Sequence, residues 1–139
     1  MRRAKGLFDL FGLVATAAAA ITFVAAAWAG CPAPPAGAEV TDDGTVQAAW
    51  QPETGPITVG RPFALLVTLC PADALLLRVD ATMPEHRHGM NYRASIKPLG
   101  DRRWRVDGML WHMSGRWELR LDLLAQGKEH RLRQSVVLP

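Results

Sequence analysis

The chain has 139 residues, 16 Lys/Arg against 13 Asp/Glu and a formal charge of +3. Setting aside Arg2, Arg3, Lys5 and Asp9, the part after Cys31 keeps 13 Lys/Arg against 12 Asp/Glu, so the excess charge belongs to the N-terminus. A nearly neutral body of this size has material for one core and lacks the surplus of positive charge that a nucleic-acid partner requires.

Arg2, Arg3 and Lys5 form a basic start, and residues Leu10 to Ala29 follow without a charge. A helix of that length spans roughly 30 Å, enough for a bilayer core, and exceeds the usual signal-peptide apolar region of about 7–15 residues. Residues 1–30 are therefore expected to be a signal peptide or a membrane anchor. The basic side stays cytoplasmic and the rest is exported, into a periplasmic or other extracytoplasmic space. The segment ends ambiguously. Ala27-Trp28-Ala29 fits a small-x-small cleavage site, whereas Ala29-Gly30-Cys31 resembles a lipoprotein box that would place a lipid on Cys31. Trp28 departs from that box, and an uncleaved anchor helix is the third reading. Membrane attachment is the expectation, on segment length.

Residues 31–44 read as a linker. Pro32-Ala33-Pro34-Pro35-Ala36-Gly37-Ala38 suits a semi-extended spacer that would hold a folded domain off the membrane. The two cysteines, Cys31 and Cys70, would be free to pair after export. Lipidation of Cys31 would forbid that bond. Cys70, at the end of an apolar run, has a buried free thiol as its default.

Residues 45–139 carry no long helical period. Strand-length runs separated by Gly, Pro and Asp cover Thr45–Gln51, Pro62–Cys70, Leu75–Met83, Tyr92–Lys97, Trp104–Trp111, a segment from Trp117, and Leu132–Leu138. Pro62–Cys70 is nearly all apolar. Leu75, Leu77, Val79, Ala81 and Met83 alternate with Leu76, Arg78, Asp80 and Thr82. Trp117, Leu119, Leu121 and Leu123 alternate with charged residues, the pattern of a half-buried strand. Gln126-Gly127-Lys128 marks a turn. Seven such runs predict an all-β, immunoglobulin-like β-sandwich. Arg102, Arg103 and Arg105 read as an exposed strand face.

Chemistry concentrates at two places. Met83-Pro84-Glu85-His86-Arg87-His88-Gly89-Met90 and Met109-Leu110-Trp111-His112-Met113 hold three of the four histidines and four of the five methionines. Imidazole with thioether suits copper, and Cu(I) above all, because soft sulfur favours a soft ion. On an extended chain His86, His88 and Met90 share one face, with Gly89 free to bend. His112 is the preferred further ligand, with Met113 the alternate, because a strand aims the two oppositely. The bland reading is a solvated loop with Met83 and Met109 as core filler. His130, beside a turn, has only that reading. Zinc is disfavoured because its sites use Cys, His and carboxylate rather than thioether.

These two stretches, the second continuing through Ser114-Gly115-Arg116-Trp117-Glu118-Leu119, resemble the YtkA-like domain family and more distantly FixH-like proteins, over roughly Gly60 to Leu138. The resemblance implies an exported, often membrane-tethered immunoglobulin-like domain near copper handling and respiratory-oxidase maturation. It favours the uncleaved anchor, since FixH-like proteins usually have one. The leading expectation is a module that stores or delivers copper to a membrane or periplasmic metalloprotein. The rival is a metal-free assembly module that binds a membrane protein, with Trp104 and Trp111 as candidate contacts. No nucleophile stands beside a base, so an enzyme is not expected.

Overall fold

The computed structural model describes residues 30–139. The expected signal or anchor helix over 1–30 lies almost wholly outside the described residues. Among those residues no helix is long and apolar enough to cross a membrane.

The described residues form nine strands: β1 Glu39–Asp42, β2 Gln47–Pro52, β3 Pro62–Cys70, β4 Leu75–Met83, β5 His88–Gly89, β6 Ser95–Gly100, β7 Arg103–Leu110, β8 Gly115–Ala125 and β9 Lys128–Leu138. They make two antiparallel sheets, a five-stranded one in the order β1-β2-β3-β7-β6 and a four-stranded one in the order β5-β4-β8-β9. One hydrophobic cluster draws on both sheets, including Trp50, Leu65, Val67 and Val106 from the first and Val79, Ala81, Met83, Trp117, Leu119 and Leu121 from the second. This is the layered arrangement of a β-sandwich, in which each sheet buries one face against the other.

The spans predicted for β3 and β4 are the observed ones. The strand begun at Trp117 alternates as expected and continues to Ala125 with its core-facing residues buried. A two-residue turn, Gln126-Gly127, with φ of 52° and 72°, joins β8 to β9. Two positive φ values match the right-handed twist of the flanking strands, so Ala125 pairs directly with Lys128.

Four expectations change. First, β1 lies inside the stretch read as linker, and it pairs with β2 from Glu39↔Trp50 to Asp42↔Gln47. Second, a bulge between Leu76 and Arg78 reverses the phase of β4. Leu76 is buried, and Leu75 and Leu77, expected inside, are each 46% exposed. An extra residue on one strand of a pair shifts the inward set by one, which alternation alone does not reveal. Third, Tyr92 lies in a loop and is exposed; β6 instead runs from Ser95 through Pro98 to Gly100. Pro98 is tolerated because β6 is an edge strand whose outer side needs no N–H.

The fourth concerns the cysteines. Cys31 and Cys70 form a disulfide, with Cα atoms 5.8 Å apart. Neither a lipid thioether on Cys31 nor a free thiol at Cys70 is compatible with it, because each sulfur is already bonded. The Pro/Ala stretch is accordingly no free spacer. Arg102 Nη1 donates to Gly30 O at 3.1 Å. Pro35 and Ala38 line a crevice with Ala49, Gln51, Leu66 and Thr68, on the side of the five-stranded sheet turned away from the core.

Candidate metal centre

The first motif builds a hairpin rather than an extended run. His86 N–H donates to Met83 O at 3.2 Å, closing a turn whose second position is Pro84, where the fixed φ of proline is favoured. Arg87 then takes φ of 54°, and the chain returns as β5. The bend therefore falls at Arg87, while Gly89 is a strand residue paired with Thr82. His88 pairs with Met83, whose side chain is buried in the core, so His88 stands on the same side of the sheet at its rim.

The second motif follows β7. Trp111 and Trp117 are fully buried and stack with ring centroids 5.5 Å apart at 6°. Phe63 meets Trp111 edge-on at 5.4 Å. Trp117 Nε1 donates to Met113 O at 2.9 Å, which fixes the turn after His112. His112 packs edge-on against Trp117, with centroids 5.6 Å apart. Its ring is thus set by the aromatic core beneath it.

The two motifs meet. His88 and His112 have ring centroids 6.1 Å apart at 84°, and His86 and His88 have centroids 6.5 Å apart at 27°. His86 and His88 are exposed and His112 is half-buried. With metal–nitrogen bonds of about 2.0–2.1 Å, two imidazoles on one ion have centroids roughly 5 Å apart at a tetrahedral angle and about 6 Å apart when linear. The observed spacings lie roughly 1 Å outside the tetrahedral one. Among the described residues no three His, Cys, Asp or Glu side chains stand in a ready-made cage. A bound ion therefore requires rotation of the exposed His86 and His88 side chains, which ordinary rotamer exchange permits.

The thioethers are placed differently. Met90 and Met113 are half-buried and pack against the hydrophobic cluster. Met90 N–H donates to Ala81 O at 3.1 Å, and its side chain lines a crevice with Arg78, Val79 and Asp80. Met83 and Met109 are core residues, as their phase suggests. Trp111 is fully buried and so is not a contact surface; Trp104 is half-buried. Sequence reasoning set Glu85 against the charge of Arg87 and missed its partner Arg116; the two side chains pair at 3.0 Å and fasten the histidine turn to β8. Their separation of 31 residues carries no local signal.

His130 belongs to the opposite end. Its Nδ1 lies 2.7 Å from Asp43 Oδ2, tying β9 to the turn between β1 and β2. Burial pushes the Asp43 carboxyl up, but the Val46 N–H, His130 and the Thr45 N–H together hold it below its ordinary value.

The described residues thus form an all-β unit of two antiparallel sheets with a three-imidazole cluster at one end of its core. Comparison with known proteins finds no matching family, curated protein or solved structure.

Proposed function

We propose that the protein is an extracytoplasmic copper-binding module, tethered by its N-terminal segment, that stores copper or delivers it to a metalloprotein such as a maturing oxidase. The observation that carries this reading is the contiguity of His86, His88 and His112, contributed by the β4–β5 hairpin and by the crossover between β7 and β8. Neutral donors with nearby sulfur suit Cu(I). Met90 and Met113 border the cluster in sequence and are the reserve ligands. The reading includes an immunoglobulin-like arrangement of the strands and membership of the YtkA-like family, both of which rest on sequence resemblance. The module binds and passes on an ion; no catalytic step belongs to it.

A competition titration of the full chain against a Cu(I) chelator tests this. The His86→Ala/His88→Ala and His112→Ala variants are expected to bind at least about tenfold more weakly. Equal affinity in wild type and variants overturns the proposal.

A metal-free assembly module is the second reading, favoured by a groove of about 460 Å³ between β1, β2 and β9. Trp50 lines it, and its buried Nε1 has no acceptor among the described residues. Capture of a membrane protein that survives chelation and is lost on substitution along β9 supports this reading over the first.

A further inference from the structure

We infer that the Glu85–Arg116 ion pair sets the metal selectivity of the histidine cluster by keeping a carboxylate out of it. This rests on the copper reading above and extends it. Glu85 is the residue before His86, in the same turn, and its side chain is more than half exposed. It is the carboxylate nearest in sequence to the two exposed imidazoles. Its Oε1 accepts from Arg116 Nε at 3.0 Å, so the carboxylate is directed toward β8.

The consequence is chemical. With Glu85 engaged, the cluster offers only neutral imidazoles, and thioethers if they turn toward it. Neutral soft donors favour Cu(I), whereas Zn(II) binds well where imidazole is joined by carboxylate. Releasing Glu85 would supply one negative oxygen donor to a doubly charged ion. The pair is exposed, and exposed ion pairs are worth little in stability, so breaking it leaves the fold intact. Arg116 is a positioning residue: it acts through Glu85 and touches no ion. Arg87 lies between the two histidines but takes a left-handed conformation, and Arg116 is the cation on Glu85.

The test compares Zn(II) and Cu(I) affinities of the full chain, each by chelator competition, in wild type, Arg116→Gln, Arg116→Lys and Arg116→Gln/Glu85→Gln. Arg116→Gln is expected to gain about threefold to fivefold in Zn(II) affinity, the most that an exposed pair can withhold, and to change by less than about twofold for Cu(I). Arg116→Lys keeps a cation opposite Glu85 and should match wild type. The double variant should lose the Zn(II) gain. No gain in Arg116→Gln, or a gain that persists without the Glu85 carboxylate, overturns the inference. The Cu(I) titration of His86→Ala/His88→Ala decides the underlying reading separately, so failure of one is distinguishable from failure of the other.

Discussion

Gly115 opens β8 with φ of 115°, and a Cβ built there would lie 3.0 Å from Met83 Cε. Both facts bear on the candidate site, because Gly115 ends the turn that begins at His112 and Met83 begins the turn that carries His86. A methyl at 115 strains the backbone, since L-residues rarely adopt that φ, and it presses on a fully buried methionine. Gly115→Ala should therefore destabilise the fold by about 1–3 kcal/mol. It should also weaken metal binding by displacing His112. Chemical denaturation checks the first effect; an unchanged midpoint would contradict it. Trp117 sets the same ring from beneath, through its 5.6 Å contact with His112 and its hydrogen bond to Met113 O.

At the scale of elements, the turn between β1 and β2 is held by two carboxylates, of which Asp42 Oδ1 accepts from the Gly44 N–H at 3.1 Å. Asp43 Oδ1 accepts from the Thr45 and Val46 N–H groups at 2.9 Å each, and Oδ2 faces His130 on β9. Across the outer side of the same five-stranded sheet, the Arg105 hydrogen bonds hold Glu53 below its ordinary value, working against a smaller rise from burial. Both folded carboxyls titrate below their unfolded values of 3.8 and 4.5. Their stabilisation is therefore complete above those values and is lost as pH falls through the lower folded ones. The melting temperature should drop as pH is lowered from about 5 toward 3, and Asp43→Asn should flatten part of that fall. A fall of the same steepness in the variant would remove Asp43 from the account. Elements of this kind are partly legible in the chain. The spans of β3 and β4 follow from apolar runs and breakers, and β8 from its strict alternation. The β4 bulge is not legible, because Leu75, Leu76 and Leu77 are equally apolar and only pairing with β8 decides which faces inward. The histidine cluster was legible as a grouping but not as a geometry. Its convergence depends on a left-handed Arg87 and on Trp117, rather than on the extended His-x-His spacing that suggested it.

For the whole molecule the governing fact is polarity. Pro62 begins β3 opposite Leu110, next to Trp111 and His112, and Cys70 ends it at the disulfide. Nine strand residues span roughly 30 Å, so the disulfide and the imidazoles occupy opposite ends of the sandwich. The chain enters at the disulfide end, where Arg102 also holds Gly30 O, and the histidines face away from that entry. The bond closes a loop with a sequence separation of 39, which includes β1, β2 and β3. In the chain-entropy account a loop of that length restricts the unfolded state by roughly 3–4 kcal/mol. Reduction, or Cys31→Ser/Cys70→Ser, should lower the unfolding free energy by about that amount. Metal affinity at the far end should be unchanged under conditions where the domain stays folded, since the site is built by β4, β5, β8 and the turn after β7. Denaturation with and without reductant measures the first effect, and Cu(I) competition on the serine variant measures the second. Loss of metal binding in a folded, disulfide-free protein would show that the two ends are coupled through the core and that the polarity is not functional.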